Sequence, residues 1–419
     1  MRSLVPQRHA RQSLDRHVRL TCAPGPRGTS RTGSKMEAGM RKLSRLVAGA
    51  VTMATAAALV AGTVGTASAA PNDPPKGVAP KAFDIVAVGS NTTQYVLDAL
   101  AQKYDAGIGT RHSAAHPYVY SWDAVPLGTS ASVVTHIKPK AGCATIVRPN
   151  GSGAGVKALD TTQVIKSGGV SYPCVDFARS SGGRKPTDPK FGPGGIAFVA
   201  FARDAMTWAT RSAAKGGSDA PKSLNLKQLQ GIFSCKITNW KQVGGKNGAI
   251  KVYLPQPGSG TLSSWEKFMN ITTLGSCVSQ APEENEGGYK GFNSPNAIFA
   301  YSIGAYVAQK YHSAGCHSTP TGTQNKFGCN VTGVLQLNPI TGISPLTTAK
   351  VPTINPKFPS NFWRTVYNVV PYTVGTSDHI SKKLEGMLGK NGFLCKSGTA
   401  KAIIKNYGFV PYAFCGITS

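Results

Sequence analysis

Acidic side chains are scarce in this chain. Its 419 residues carry 18 Asp and Glu against 46 Lys and Arg, so a general attraction to anions, or to an acidic cell wall, is the simplest electrostatic consequence. Lys/Arg-rich runs with interleaved aromatics are missing beyond the N-terminal segment, and nucleic-acid binding is not expected. The signatures of several enzyme classes are missing too. There is no His-Glu-x-x-His, no Walker loop and no Gly-x-Ser-x-Gly elbow, so the chemistries those motifs carry have no support. Cys-x-x-Cys is absent, and His312 and His317 beside Cys316 lack a second ligand pair, which argues against a structural zinc. No cofactor is expected, and nothing among the eight histidines marks a Ser/His/Asp triad.

Long apolar runs are confined to the N-terminus. Met1 to Lys35 is Arg-, Ser- and Pro-rich without apolar periodicity, and reads as a non-native or disordered extension (1–35). Arg41, Lys42 and Arg45 then precede an apolar run from Leu46 that ends in Ala67-Ser68-Ala69. This is the pattern of a secretory signal peptide (36–69), cleaved after Ala69, with the start expected at Met36 or Met40; an uncleaved signal anchor is the alternative. The segment 1–69 holds eleven basic and two acidic residues, so its removal lowers the formal charge from +28 to about +19. No cysteine follows the cleavage site to carry a lipid, and no later run is long enough to span a bilayer. A secreted or wall-associated protein is expected.

Cysteine usage agrees with export. Nine cysteines fall to eight without Cys22, and an even number in an exported protein suggests disulfides. The expected pairs join sequence neighbours: Cys143 with Cys174, Cys235 with Cys277, Cys316 with Cys329, and Cys395 with Cys415.

What the chain does have is three glycine- and hydroxyl-rich turns ahead of helical patterns. Pro257-Gly258-Ser259-Gly260-Thr261 leads into Leu262 to Asn270; Gly151-Ser152-Gly153-Ala154-Gly155 leads into Val156 to Leu159; Gly89-Ser90-Asn91-Thr92-Thr93 follows the strand-like Phe83 to Val88 and precedes Gln94 to Tyr104. A helix start offers unpaired N–H groups and a positive dipole end, so each turn can cradle an anion. Three such turns can converge on one small oxyanion. Taken singly, each is also an ordinary loop with an N-cap.

About 350 mature residues suffice for two domains. After a Pro-rich linker (70–80), short β-rich runs alternate with helical ones: Tyr118 to Trp122; Ala144 to Val147, then Gly155 to Asp160; Gly195 to Phe201, then a helix over Asp204 to Ala209; a helix over Leu226 to Phe233; and a strand over Ile250 to Leu254. The alternation predicts α/β layers, with ligands beyond the carboxyl ends of strands.

From about Phe83 to Tyr412 these blocks resemble, in order, the phosphate-binding component of bacterial ABC phosphate uptake systems. Gly89 to Thr93, Gly151 to Lys157, the block Asp176-Phe177-Ala178-Arg179-Ser180-Ser181, Leu226 to Trp240, Gly258-Ser259-Gly260-Thr261 and Asn406-Tyr407-Gly408-Phe409-Val410-Pro411 carry the likeness. The resemblance implies a two-lobed type II periplasmic-binding-protein-like fold, each lobe a mixed sheet flanked by helices. The lobes would be 80–199 plus 313–419, and 200–312, with crossovers near Val199 and Gln309. It implies that Thr92, Ser152, Ser259, Gly260 and Thr261 donate to a bound phosphate, with Ser90, Thr93, Gly153 and Ser181 beside them. Two positions depart from the family pattern. Pro255 stands where the family has an arginine, and Ser181 stands where it has the aspartate that accepts the phosphate proton. Arg179 and Arg148 are candidate replacement cations. Asp176 reads as structural, Gln256 as a loop residue, and Glu283 to Glu286 as a solvated acidic face.

The expected function is capture of phosphate or a similar small oxyanion for uptake, with an ABC permease as partner, by a monomer without catalytic activity. Two alternatives remain open. Ser264-x-x-Lys267, Ser294-Pro295-Asn296 and Lys396-Ser397-Gly398 fall in the order used by penicillin-interacting serine acyl-enzymes. A surface scavenging or adhesion protein without a transporter also fits the missing lipid anchor.

Overall fold

A computed structural model describes residues 79–125, 134–161, 163–312 and 332–419. The expected signal peptide, most of the linker and the pair Cys316 with Cys329 lie outside the described residues.

The first strand, β1 (Ile85–Gly89), is buried throughout and turns into α1 (Gln94–Ile108). β2 (Val119–Ser121) is followed by a small hairpin of β3 (His136–Ile137) and β4 (Ile146–Val147). Next come α2 (Ser152–Thr161), a second hairpin of β5 (Val164–Ser167) and β6 (Val170–Pro173), and β7 (Phe177–Ser180). A 16-residue strand, β8 (Ile196–Arg211), leads into α3 (Leu226–Phe233), β9 (Lys251–Tyr253) and α4 (Gly260–Met269). β10 (Val278–Ser279), β11 (Ala297–Ser302), α5 (Ile303–Tyr311) and β12 (Leu335–Leu337) follow. The chain ends with β13 (Trp363–Pro371), α6 (Lys382–Leu388), α7 (Phe393–Lys396), α8 (Gly398–Asn406) and β14 (Val410–Pro411).

Ten of these strands form one mixed sheet. Its order is β10-β9-β11-β8-β13-β7-β1-β2, with β12 and β14 also paired to β8. β1 lies parallel to β2 and β7, and β9 parallel to β10 and β11; β8 runs antiparallel to β11, β12, β13 and β14. The expected mixed α/β architecture is therefore present. The long strand corrects one expectation: Asp204 to Ala209 is not helical. Ala205 pairs with Trp363 on one side, and Met206 to Ala209 pair with Ser302 to Phe299 on the other. The segment is buried on both faces, so it lacks the alternation that marks a half-exposed strand, and its alanines suit a helix equally well.

Apolar side chains gather into two large clusters on the two halves of the sheet. One contains Ile85, Leu97, Phe177, Val199, Leu384 and Ile404. The other contains Trp208, Leu229, Trp240, Trp265 and Ile298, and it also takes in Ile340, Ile354, Phe358 and Phe362, although the sequence reading groups that stretch with the first half. β8 and β13 run through both clusters, so the two halves share a continuous pair of strands. Local signals hold the helices in place. Asn225 and Gln228 close a capping box on α3, and Ser397 caps α8.

Three expected disulfides are formed, Cys143–Cys174, Cys235–Cys277 and Cys395–Cys415. No helix among the described residues is long and apolar enough to cross a membrane.

Candidate functional site

The three glycine- and hydroxyl-rich turns meet. Each follows a strand end or leads into a helix, and they touch because small residues let backbone approach backbone. Gly155 of α2 lies so close to β1 that an added Cβ would stand 2.7 Å from the Gly89 Cα. At Gly260 an added Cβ would stand 2.5 Å from both Ser152 Oγ and Ser181 Oγ. The Gly153 N–H crosses to Gly258 O at 3.1 Å. Glycine is therefore required at 155 and 260 for close approach.

The hydroxyls then form one buried cluster. Ser90 Oγ donates to Ser181 Oγ at 3.1 Å and accepts from the Thr92 N–H at 3.2 Å. The Ser181 N–H donates to Ser152 Oγ at 3.1 Å. Thr92 Oγ1 and Thr261 Oγ1 are 3.1 Å apart. Ser259 caps α4, its Oγ accepting from Thr261 N and Leu262 N. Thr93 Oγ1 is buried without a hydrogen-bond partner among the described residues.

At the focus of this cluster sits a carboxylate that sequence reasoning assigned to solvent. Glu284 is 1% exposed and Asn285 fully buried, which corrects the reading of Glu283 to Glu286 as a solvated acidic face. One oxygen, Glu284 Oε1, accepts from Thr92 Oγ1 at 2.5 Å, Thr261 Oγ1 at 2.6 Å, Ser181 Oγ at 2.9 Å and the Thr261 N–H at 3.2 Å. The other, Oε2, is buried and has no partner among the described residues.

The backbone below is fixed. The Glu284 N–H donates to Gln256 Oε1 at 2.7 Å, so Gln256 is more than a loop filler. Asn285 Nδ2 donates to Thr92 Oγ1, and the Asn285 carbonyl accepts from Tyr301 and Gln309. Burial, opposed by a hydrogen bond from Asn150 and reinforced by the neighbouring Glu286 and Glu284, pushes Glu283 up to about 7.

An arginine reaches the cluster from β13. Arg364 on β13 is 7% exposed. Its Nη2 donates to Thr261 Oγ1 at 3.1 Å, and its Nη1 donates to Gly260 O at 3.2 Å. The guanidinium is held by Asp204 Oδ2, with Nε at 2.9 Å and Nη2 at 2.8 Å. Asp204 in turn accepts from Ser302 Oγ and the Gly304 N–H. Register makes this possible, since Arg364 faces Asp204 across β13 and β8. Nothing in the local sequence around either residue marks the pairing.

The other expected cations lie elsewhere. Arg179 is fully buried, but its guanidinium donates to the carbonyls of Ser90, Gly89 and Trp122 and to Ser121 Oγ. It supports the first turn from below instead of joining the hydroxyls. Arg148 donates to Asp123 O and Thr135 Oγ1. Asp176 is structural as expected, paired with Lys140 at 2.5 Å and Lys383 at 2.8 Å. Ser264 is buried and donates to Gly260 O at 2.8 Å, while Lys267 is exposed.

The cluster thus gathers three hydroxyls and one helix-start N–H around one buried oxygen, with a guanidinium bound to one of those hydroxyls. Comparison with known proteins is consistent with this architecture. The family model for the PBP superfamily domain matches residues 74–359. The chain belongs to the PBP superfamily. No curated protein matches this superfamily member. Solved structures similar to it include an ABC-type phosphate transport receptor from Vibrio cholerae, at 19% identity and TM-score 0.44, covering 78% of this chain and 99% of that one. A phosphate-binding protein from Stenotrophomonas maltophilia is similar at 16% identity and TM-score 0.43, covering 79% and 91%. A human phosphate-binding apolipoprotein is similar at 14% identity and TM-score 0.42, covering 78% and 91%.

Proposed function

We propose that this PBP superfamily member is an exported solute-binding protein that captures phosphate or a similar small oxyanion between two lobes, for uptake through an ABC permease or for scavenging. One observation carries the reading. Three hydroxyls and one backbone N–H, drawn from the Gly89 turn, the end of β7 and the Gly258 turn, converge on a single buried carboxylate oxygen. A carboxylate oxygen and a phosphate oxygen ask for the same donors, so the pocket is built for an oxyanion. Thr92, Ser181 and Thr261 would bind it directly. Ser90, Ser152 and Ser259 would hold those three in place, and Arg364 would supply the charge that Pro255 cannot.

The lobes would follow the two apolar clusters, with the crossing near Asp204 and Arg364 and residues 335–363 moving with the second lobe. Opening would separate Thr92 and Ser181 from Thr261, a hinge motion that a ligand reverses. Isothermal titration of the purified, oxidised protein with phosphate, arsenate and sulfate tests the reading. Heat with phosphate and arsenate is expected; no heat with any of the three would sink it.

A further inference from the structure

The donors of the pocket are already in use. Thr92 Oγ1, Ser181 Oγ, Thr261 Oγ1 and Thr261 N all point at Glu284 Oε1, and no donor of this set is left for a second oxygen. An oxyanion using these donors must take the place that Oε1 occupies. An anion added beside Glu284 would also put two negative charges within a few ångströms in a buried site, which is unfavourable. Of the two carboxylate oxygens, one takes four hydrogen bonds and the other, also buried, takes none among the described residues. This lopsided arrangement fits a side chain reaching into a site shaped for another group better than it fits a carboxylate settled in a site of its own.

On the oxyanion reading above, we propose that Glu284 is a resident competitor for the pocket. Its carboxylate occupies the ligand position when no ligand is bound and swings out when an oxyanion enters. The backbone can stay where it is, because Glu284 N and Asn285 are anchored to Gln256, Tyr301 and Gln309. The exchange is therefore a rotation of one side chain. Glu284 also bridges the halves of the molecule, since Thr92 and Ser181 reach it from the first and Thr261 from the second. The competitor holds the cleft closed without a ligand. Its strength sets the free phosphate concentration at which the protein loads.

The test is titration of the wild-type protein, Glu284→Gln and Glu284→Ala with inorganic phosphate at one pH, with thermal melts to show that all three fold. The alanine variant should bind phosphate at least tenfold more tightly than wild type. The glutamine variant, which keeps an oxygen in place without its charge, should fall between them. Sodium formate should raise the melting temperature of Glu284→Ala and leave wild type unmoved, because a free carboxylate then refills the position. Unchanged or weaker phosphate binding in both variants would overturn the inference, and would make Glu284 a partner of the ligand instead of its rival. No phosphate binding by any of the three folded proteins would overturn the oxyanion reading, and the competitor with it.

Discussion

Ser181→Asp restores a carboxylate where the related phosphate-binding pattern has one, and here it should be strongly destabilising. Ser181 is fully buried, and its Oγ lies 2.9 Å from Glu284 Oε1. A carboxylate introduced at this position would stand about 3 to 4 Å from the one already present. At an effective dielectric constant near 20 their repulsion is about 4 to 5 kcal/mol. Protonating the introduced side chain instead, from its ordinary value of about 3.9, costs about 5 kcal/mol at pH 7.5, so neither escape is cheap. Glu284→Gln alone exchanges a charge-assisted acceptor for a neutral one and should cost about 1 to 2 kcal/mol. The double variant removes the repulsion and lets the amide donate to the new carboxylate. It should be about 3 kcal/mol more stable than the two single effects predict. Urea unfolding of the four proteins at pH 7.5 closes the cycle, provided the slopes agree. Repeating it at pH 4, where the introduced carboxyl titrates, should shrink the coupling. Additive single effects within about 0.5 kcal/mol would mean that the two positions do not share a pocket, and would refute the placement of Glu284.

Arg364→Ala leaves the Asp204 side chain buried with only Ser302 and Gly304 as partners among the described residues, and should cost about 3 to 5 kcal/mol by denaturant unfolding. Gly260→Ala places a methyl group 2.5 Å from the hydroxyls of Ser152 and Ser181; phosphate heat in calorimetry should vanish while the circular dichroism spectrum is kept. Replacing Cys235 and Cys277 by serine opens a bridge with a sequence separation of 42 and should lower stability by about 3 to 4 kcal/mol in unfolding titrations. Burial raises Asp105 to about 7 against a hydrogen bond from the Val119 N–H, with Asp84 nearby adding to the rise. The folded state thus holds this proton more tightly than the unfolded chain. Its stabilising effect is complete below about pH 4 and is lost as pH rises to 7. Asp105→Asn should flatten that part of the stability profile, measured by thermal melts across pH 4 to 8.

The turns at Gly89, Gly151 and Gly258 were legible in the sequence because close backbone approach restricts a position to the smallest residues wherever it occurs. The restriction is local, so it leaves a local trace. Glu284 and Arg364 left none. A Glu-Glu-Asn-Glu run has the composition of a solvated loop, and only the anchoring of Asn285 by Tyr301 and Gln309 turns it inward. Arg364 reaches the pocket through the register of β13 on β8, a pairing across 160 positions that local pattern cannot encode. Arg179 failed for the complementary reason. It sits inside a recognisable block next to the site, but its guanidinium is taken up by the carbonyls of Gly89, Ser90 and Trp122.

The charges gathered by these distant residues decide how the pocket can work. Arg364 brings one positive charge, and Asp204, gripping it through two nitrogens, balances it. Glu284, by contrast, is held by hydroxyls and one N–H and by no cation among the described residues. Its four hydrogen bonds offset part of the cost of burying it, and the unpartnered Oε2 leaves part of that cost standing. An arriving oxyanion that displaced Arg364 from Asp204 would strand a buried carboxylate. One that simply joined Glu284 would add a second negative charge beside it. Exchange for Glu284 is the one route that keeps the buried charge nearly constant, and it becomes more favourable as the newcomer satisfies more donors than the single oxygen it replaces. A tetrahedral anion, with four oxygens for Thr92, Ser181 and Thr261 to meet, satisfies that condition better than a second carboxylate with two.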